Sequence, residues 1–330
     1  MSAEVAVLGG GAWGSALACE FARGGHEVRL WAREPAVARE IRERRSNAGY
    51  LPGVELSSGI AATSEIGEAT QGAEALVIVV PSEFYRGVLR ELAPLVPEQA
   101  LLVSATKGLE LDTLLRMSEV AAAELPGRTV AVLSGPSFAL EVARGQPTAV
   151  VLASQDSAAA ERLQRALSSR SLRVYASSDV IGVELGGALK NVIAIAAGIL
   201  DGLGYGHNTV AALITRGLAE ISRLAIAQGG RAETLAGLAG LGDLVLTCTG
   251  SLSRNRSLGQ ALGRGQTLER ALGGTRQVVE GVRTTLAACA LGERAGIELP
   301  IALQMRDVLE RGKPPREAVE QLMLRTLKRE

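Results

Sequence analysis

A glycine-rich turn near the N-terminus is the first feature of this sequence that could do chemistry. Gly9-Gly10-Gly11-Ala12-Trp13-Gly14 fits the pattern G-x-G-x-x-G and lies between an apolar run, Glu4–Leu8, and a helical pattern, Ala12–Arg23. In this context the first glycine permits a tight turn, the middle one lets backbone approach a pyrophosphate, and the last lets the helix pack on the strand. A tight turn without a ligand is the alternative. The context favours a dinucleotide site.

The end of the second predicted strand bears on which dinucleotide fits. An Asp or Glu at that place usually binds the ribose 2′-hydroxyl of NAD. This sequence has Trp31-Ala32-Arg33 there, with Glu34 one step beyond. A guanidinium can accommodate a 2′-phosphate, so we expect NADP as well as NAD. The alternative is that Arg33 is solvated on a surface loop.

A lysine within an apolar run is the second candidate for chemistry. Lys190-Asn191 lies inside the segment Gly186–Ile195. Burying a lysine is costly unless its charge is paired, and burial lowers its pKa toward a range where it exchanges protons. Lys190 is therefore a candidate acid/base, with Asn191 as a hydrogen-bonding neighbour. The alternative is a lysine that snorkels at a helix edge. Asp243 likewise lies within an apolar stretch, Leu241–Cys248, and needs a positive partner, for which Lys190 is suitable.

Several polar segments could bind an anionic substrate. Ser253-Arg254-Asn255 precedes a helical pattern, Ser257–Leu262, and combines a hydroxyl, a guanidinium and an amide at a helix start, which suits phosphate. An ordinary N-cap is the alternative. Ser104–Gly108 ends a strand with Lys107, Ser134–Ala139 leaves a strand and enters a helix, and Val278–Gly281 is a strand-like fragment with an acid. Taken alone, each of these three segments could simply form a turn.

Strands and helices alternate in the first half of the chain. The predicted strands are Glu4–Leu8, Glu27–Trp31, Ala75–Val80, Ala100–Ala105, Thr129–Ser134 and Pro147–Ala153. The predicted helices between them are Ala12–Arg23, Pro35–Arg45, Glu83–Leu92, Asp112–Glu124 and Asp156–Leu167, with Asp112 as an N-cap. This alternation indicates an α/β Rossmann domain with a doubly wound, mostly parallel sheet.

The pattern changes after about Ser177, where β-rich runs end. Long segments rich in Ala, Leu and Gly follow, and they predict an all-helical half: Asp179–Asp201, Thr209–Gln228, Ser257–Leu262, Val282–Ala295 and Ile301–Leu309. We therefore predict a dinucleotide-binding domain at residues 1–178 and an all-α substrate and catalytic domain at 179–330. No Pro/Gly-rich linker separates them, so the two should pack together.

Composition excludes some classes of function. The 35 Lys and Arg balance the 35 Asp and Glu, so nothing favours nucleic acid or an anionic membrane as a partner. The most apolar stretch, Ala188–Leu200, is too short to span a bilayer, and no signal peptide is visible. Three scattered cysteines predict reduced thiols in a cytoplasmic protein without a metal site. The Ala-rich helices of the second half could form a homodimer interface or simply the domain core.

Taken together, the motifs resemble those of the bacterial NAD(P)-dependent glycerol-3-phosphate dehydrogenases. The likeness runs in order along nearly the whole chain, through the glycine turn, Trp31-Ala-Arg33, Ser-Ala-Thr-Lys107-Gly-Leu-Glu, Leu-Ser-Gly135-Pro-Ser137, Gly-Gly-Ala-Leu-Lys190-Asn191, Asp201-Gly-Leu-Gly-Tyr-Gly, Gly-Asp243-Leu, Ser253-Arg254-Asn255 and Val278-Val-Glu280-Gly-Val. One departure is Ala12, where the family usually has a serine or a similar residue. With alanine in place of that serine, a hydroxyl contact to phosphate is lost, but the backbone N–H donors remain.

The resemblance implies a reaction and a set of roles. The reaction is the reversible NADH- or NADPH-dependent reduction of dihydroxyacetone phosphate to sn-glycerol 3-phosphate, for phospholipid synthesis, and the helical domain would be of the 6-phosphogluconate-dehydrogenase-like type. Lys190 would be the proton donor and acceptor. The implied substrate contacts are Lys107, Gly135, Ser137, Lys190, Asp243, Ser253, Arg254 and Asn255. The implied cofactor contacts are Gly9, Gly11, Ala12, Trp13, Gly14, Arg33, Lys107, Ala139, Arg254, Val278 and Glu280.

Two other readings stay open on the sequence. A different β-hydroxyacid or 6-phosphogluconate-type dehydrogenase would share the layout and an inward lysine, but it would need a different anion site. A non-catalytic dinucleotide-sensing protein would bind cofactor without turnover, and it would leave the costly Lys190 and Asp243 unexplained. A histidine acid/base would have to be His26 or His207, both in loop-like segments.

Overall fold

A single sheet with helices on both faces forms the N-terminal half of the computed structural model, which describes residues 3–273 and 278–325. The outer limits of the two predicted domains, residues 1–2 and 326–330, lie outside the described residues. The eight strands of the sheet are β1 (Glu4–Leu8), β2 (Glu27–Trp31), β3 (Ile60–Thr63), β4 (Ala75–Ile78), β5 (Leu101–Ser104), β6 (Val130–Ser134), β7 (Thr148–Ala153) and β8 (Leu172–Ser177).

The order of the strands places a crevice at the start of the chain. The sheet runs β3-β2-β1-β4-β5-β6-β7-β8, and every neighbouring pair is parallel except β6 with β7. β4 is buried on both faces because helices cover both sides of the sheet. The chain steps outward in one direction from β1 to β3 and in the other from β4 onward. Ligands of such sheets bind beyond the carboxyl ends of the strands at this reversal.

Seven helices accompany the sheet, and one of them corrects a prediction. They are α1 (Ala12–Arg23), α2 (Pro35–Arg44), α3 (Ile66–Thr70), α4 (Ser82–Leu92), α5 (Met117–Glu124), α6 (Ala139–Ala143) and α7 (Ser157–Leu167). The predicted helix Asp112–Glu124 is wrong in its first part, and Asp112 is not an N-cap. Residues 109–116 form a tight turn closed by a β-bridge between Leu109 and Arg116, with Leu114 at φ 61°. A leucine in that left-handed conformation interrupts a helix.

Helices make up the described C-terminal half. They are α8 (Val180–Gly202), α9 (His207–Ala227), α10 (Ala232–Ala236), α11 (Asp243–Thr249), α12 (Arg254–Gly263), α13 (Leu268–Leu272), α14 (Glu280–Ala295), α15 (Pro300–Arg311) and α16 (Pro315–Met323). A π-helical turn, Leu238–Gly242, leads into α11. The fragment Val278–Gly281 is not strand-like, because Glu280 begins α14. The predicted domain boundary falls in the short turn between β8 and α8.

Helix α8 is the centre of the helical half. By length and composition its 23 residues could cross a membrane, which corrects the expectation that this stretch is too short. The other helices bury it instead: 94% of its apolar window lies inside the protein. A helix that is apolar on all sides is typical of a protein core as well as of a membrane.

Two glycines let α12 lie directly on α8. A Cβ at Gly198 would stand 2.0 Å from the carbonyl oxygen of Arg256, and one at Gly259 would stand 2.0 Å from the carbonyl oxygen of Ile195. No side chain fits at either place, so the two backbones touch. This close contact brings the start of α12 beside the middle of α8, where Lys190 and Asn191 lie.

Candidate functional site

A cleft of about 890 Å³ lies between the carboxyl ends of the strands and the helical half. Most of the predicted site residues line it: Gly9, Gly11, Ala12, Trp13, Arg33, Lys107, Ser137, Ala139, Lys190, Arg254, Asn255, Val278 and Glu280. The other four do not line the cleft themselves: Gly14, Gly135 and Asp243 contact residues that do, and Ser253 directly precedes Arg254. The structure thus brings residues that are far apart in sequence to one place.

The glycine turn closes tightly at one end of the cleft. Gly9 has φ 136°, and a Cβ there would stand 2.4 Å from the carbonyl oxygen of Val79 on the neighbouring strand. A Cβ on Gly14 would stand 1.9 Å from the carbonyl oxygen of Gly9, so only glycine lets α1 approach the turn. A Cβ on Gly11, by contrast, would meet no atom within 4 Å. That open space lies at the N-terminus of α1.

This end of the cleft fits the pyrophosphate of a dinucleotide. The N-terminus of α1 offers unpaired backbone N–H groups and the positive end of the helix dipole. The Nε1–H of Trp13 is also buried and has no hydrogen-bond partner among the described residues. Donors that face open space at a helix N-terminus match an anionic group with many acceptor oxygens.

The end of β2 presents a cation to the cleft. Arg33 is exposed, and its guanidinium carbon lies 4.7 Å from the ring centroid of Phe84 at the start of α4. Such a stack orders the guanidinium while its N–H groups stay available. The neighbouring carboxylate of Glu34 accepts a hydrogen bond from the hydroxyl of Tyr50 at 2.8 Å. This end of the strand therefore presents an arginine where an NAD-specific protein usually presents an acid.

Two lysines share one carboxylate at the other end of the cleft. Lys190 Nζ lies 2.5 Å from Asp243 Oδ1, and Lys107 Nζ lies 2.7 Å from Asp243 Oδ2. The three residues come from α8, the start of α11 and the loop after β5. The side chain of Asp243 is only 1% exposed, whereas those of Lys190 and Lys107 are 9% and 17% exposed and reach the cleft. One buried acid therefore holds two amines at the floor of the cleft.

The electrostatics of this trio prepare Lys190 for proton transfer. Burial lowers the pKa of Lys190 to about 8, although the Asp243 carboxylate acts in the opposite direction. Burial alone would raise the pKa of Asp243, but the two lysines outweigh it and lower that pKa. Near neutral pH, Asp243 is thus ionised and Lys190 is mostly protonated. The Lys190 ammonium is also a far stronger acid than an ordinary lysine.

Two further contacts orient the amines. Lys190 Nζ donates to Thr247 Oγ1 at 2.9 Å, and Thr247 Oγ1 donates to the carbonyl oxygen of Asp243 at 2.6 Å. Thr247 is not among the predicted site residues, although its position four residues after Asp243 places it on the same face of α11. Lys107 Nζ donates to the carbonyl oxygen of Gly135 at 2.9 Å and lies 3.4 Å from Ser137 Oγ.

The start of α12 supplies polar groups beside Lys190. Ser253 is the N-cap, and its hydroxyl accepts from the backbone N–H of Arg256 at 3.2 Å, as in an ordinary cap. Asn255 Nδ2 donates to Asn191 Oδ1 at 2.9 Å, which ties α12 to α8. Arg254 Nη1 donates to the carbonyl oxygen of Val278 at 2.8 Å. The arginine and the helix N-terminus together make this part of the cleft positive.

Glu280 joins the two halves of the chain across the cleft. Its carboxylate accepts from the backbone N–H of Ser82 at 3.1 Å and from the hydroxyl of Ser82 at 2.8 Å. Because Ser82 is the first residue of α4, an acid of the helical half caps a helix of the sheet half. This contact fixes one edge of the cleft beside the glycine turn.

Comparison with known proteins gives the family. The family model for the N-terminal part of NAD-dependent glycerol-3-phosphate dehydrogenase matches residues 4–160. The family model for the C-terminal part matches residues 179–320. The chain belongs to this family. The family implied by the sequence motifs is thereby confirmed, and so is a Rossmann-type sheet followed by a helical half. The alternative of another β-hydroxyacid or 6-phosphogluconate-type dehydrogenase is not supported.

Relatives and solved structures agree with this family. The chain is 53% identical to a glycerol-3-phosphate dehydrogenase [NAD(P)+] of a Geobacter species, covering 100% of this chain and 99% of the relative. It is also 53% identical to the Rhodospirillum rubrum protein of the same name, covering 98% and 93%. The crystal structure of glycerol-3-phosphate dehydrogenase from Coxiella burnetii superposes with a TM-score of 0.95 at 42% identity and covers 98% of this chain and 99% of that one.

Proposed function

We propose that this enzyme catalyses the reversible, NADH- or NADPH-dependent reduction of dihydroxyacetone phosphate to sn-glycerol 3-phosphate, the backbone of phospholipids. Its general acid/base is Lys190. The observation that carries this role is the position of the Lys190 amine, at the floor of the cleft between Asp243 and Thr247, with a pKa lowered by burial to about 8. A general acid is most effective when its pKa lies near the working pH.

The residues at the glycine turn fit the cofactor. The bound nicotinamide supplies or accepts the hydride. The backbone at Gly9–Ala12 and the Nε1–H of Trp13 would hold the pyrophosphate; the open space at Gly11 and the unpartnered Trp13 donor support this role. Arg33, stacked on Phe84, would bind the 2′-phosphate of NADP, and Ala139, Val278 and Glu280, which line the same cleft, would contact the cofactor.

The groups around Lys190 fit the substrate. Arg254 and Asn255, with the N-terminus of α12, bind its phosphate, and the cap hydroxyl of Ser253 holds that helix start in place. Lys107, oriented by Gly135 and Ser137, lies beside the carbonyl end. The net charge of the chain is zero, so the attraction for an anionic substrate has to be local.

The protein's own step is a proton transfer. The Lys190 ammonium donates a hydrogen bond to the carbonyl oxygen and gives up its proton as that oxygen becomes an alkoxide, a contribution of about 10²–10⁴-fold for a positioned acid. Asp243 stabilises the ammonium form and holds it in place, and Thr247 fixes its direction. In the reverse direction the neutral amine removes the hydroxyl proton.

We further propose a cytoplasmic enzyme that forms a homodimer. Cys19, Cys248 and Cys289 are free and buried, which suits a reducing compartment. Two exposed apolar side chains, Leu241 and Val245, lie about one turn apart at the start of α11 and support a protein contact there. Light scattering of the purified protein measures its mass in solution, and the mass of one chain would refute the dimer.

The activity is tested by following NADPH and NADH consumption with dihydroxyacetone phosphate. Wild type should turn over, and Lys190→Ala should lose about 10²-fold or more in kcat while it still binds cofactor. Lys313→Ala is the matched control, because Lys313 binds Gln304 in the helical half outside the cleft. Cofactor binding without turnover in the wild type would refute the reaction and favour a dinucleotide sensor. Full kcat in Lys190→Ala would refute the role of the lysine alone.

A further inference from the structure

The proposed reaction needs groups from both halves of the chain. The sheet half, residues 3–177, carries the glycine turn and Lys107, and the helical half, which begins with α8, carries Lys190 and Asp243. Hydride transfer requires the reacting atoms to be about 3–3.5 Å apart and aligned. The position of α8 relative to the sheet therefore decides whether Lys190 lies at the right distance from the cofactor site.

A buried carboxylate on α8 binds the sheet half away from the cleft. Glu184 Oε2 lies 2.5 Å from Arg116 Nη1 and accepts from Ser118 Oγ at 2.6 Å. Glu184 Oε1 accepts from the backbone N–H of Ser118 at 2.7 Å. The side chain of Glu184 is 3% exposed and that of Arg116 is 15% exposed. We name these three residues the α8–α5 clamp, since Arg116 and Ser118 lie at the start of α5.

The clamp differs from the other polar links between the halves. Lys107–Asp243 and Ser82–Glu280 each include a residue that lines the cleft and that we propose to contact substrate or cofactor. Arg283–Glu83 is a longer pair, at 3.6 Å, and its side chains are 39% and 26% exposed. Glu184 does not line the cleft. Its three interactions are all satisfied within the protein, so reactants have no direct contact with it.

We infer that Glu184 is a positioning residue, which sets Lys190 relative to the cofactor through the α8–α5 clamp. The inference rests on the proposed function. Glu184 and Lys190 lie on one continuous helix, six residues or about 9 Å apart along its axis. Between them Gly187 lies against the end of β6, where a Cβ would stand 2.4 Å from Ser134 Oγ. The helix thus touches the sheet half at the clamp and again just before the catalytic lysine.

Weakening the clamp should change the chemistry more than the binding. In Glu184→Gln the amide keeps one acceptor oxygen but loses the charge that faces Arg116, so the clamp holds this part of α8 less firmly against the sheet half. A displacement of about 1 Å can cost about 10²-fold in rate. We therefore expect kcat to fall about 10- to 100-fold. The Kd of NADPH should change much less, because the glycine turn and Arg33 lie in the sheet half and Glu280 is bonded to that half through Ser82.

The helical half offers a matched control. Glu220 on α9 is also a buried carboxylate, and it accepts from the backbone N–H of Ile301 at the start of α15 with both oxygens, at 2.8 and 3.1 Å. It caps a helix as Glu184 does, but both partners belong to the helical half. Glu220→Gln should alter stability and leave kcat at the wild-type value.

The experiment compares wild type, Glu184→Gln, Ser118→Ala and Glu220→Gln. Each is measured for kcat, for NADPH affinity by fluorescence and for the primary isotope effect with NADPH deuterated at the transferred position. We expect a lower kcat and a larger isotope effect in Glu184→Gln and, less strongly, in Ser118→Ala, since hydride transfer becomes slower than product release. A residue that merely stabilises the fold would not change the isotope effect of the folded enzyme.

Two results separate failure of this inference from failure of the proposed function. Wild type without turnover of dihydroxyacetone phosphate would refute the function and the inference with it. If wild type is active and Glu184→Gln has the same kcat and the same isotope effect, the inference alone is refuted. If Glu184→Gln does not fold, Ser118→Ala decides, because it removes a single hydroxyl from the clamp. Wild-type values in that variant would overturn the positioning role.

Discussion

Replacing Asp243 with asparagine tests the electrostatics of the site. The substitution keeps the shape of the side chain and removes the charge that holds Lys190 and Lys107. Two ammonium groups then face each other without a counter-ion, and the Asp243 contribution that supports the protonated form of Lys190 disappears. The Lys190 pKa must fall below its wild-type value of about 8, and the protonated acid needed for ketone reduction becomes scarce.

The size of the effect follows from the charges. Opposite unit charges about 4 Å apart attract by about 4 kcal/mol at an effective dielectric constant of about 20, which equals about three pKa units. The asparagine dipole and water entering the cleft recover part of this energy, so we expect the pH profile to shift down by about two units. At about pH 7.5 the protonated fraction of Lys190 then falls from about three-quarters to about 3%, and kcat for reduction falls about 25-fold.

The assay is the pH dependence of kcat for ketone reduction between about pH 5.5 and 9. Wild type should lose activity as the pH rises through about 8, where Lys190 gives up its proton. Asp243→Asn should lose activity at a lower pH than wild type does, and it should recover part of its kcat when the pH is lowered. Asp201→Asn is the control, because Asp201 pairs with Arg256 at 3.1 Å near the end of α8. An unchanged profile in folded Asp243→Asn would refute this account of the site.

Four other variants test three separate parts of the structure. Gly14→Ala should lose both cofactor affinity and about 1–3 kcal/mol of stability, because the added methyl group is overcrowded. Gly11→Ala should keep its Tm and lose only cofactor affinity. Equal losses of Tm in the two variants would contradict the difference in space at the two glycines. Arg33→Ala should weaken NADPH relative to NADH by about 10- to 100-fold, the value of a charge-assisted hydrogen bond, and an unchanged ratio of Kd values would remove the argument for a 2′-phosphate site. Burial raises the pKa of Glu220 to about 7, so wild type should lose up to about 3 kcal/mol of stability as the pH rises from 4.5 through 7. Thermal melts of Glu220→Gln should lack this part of the pH dependence. The same pH dependence of Tm in variant and wild type would contradict it.

Most of the fold could be predicted where the sequence pattern is strong. The central strands are apolar on both faces and were predicted to within two residues at each end. β3 and β8 were not predicted, because β3, Ile60–Thr63, is a short edge strand with two alanines and β8, Leu172–Ser177, carries exposed residues on one face. Neither gives a continuous apolar run. The tight turn before α5 was missed because it depends on a left-handed Leu114 that no sequence pattern signals.

The site could be predicted where one residue conflicts with its neighbours. Lys190 and Asp243 are charges in apolar surroundings, and the structure places them in contact. Thr247 and Glu184 give no such signal, since a threonine and a glutamate are ordinary in a helix. Their roles depend on partners distant in sequence, such as Ser118, 66 residues from Glu184. Only the packed structure reveals such pairs.

Helix α8 has a consequence for the synthesis of the chain. It leaves the ribosome before every helix that covers it, and α14 follows about 80 residues after α8 ends. During that interval a segment with the length and composition of a membrane span has no complete cover. A fragment that stops after Gly202 would keep this surface exposed and would aggregate or bind chaperones. The C-terminal helices thus protect the nascent chain as well as complete the catalytic site.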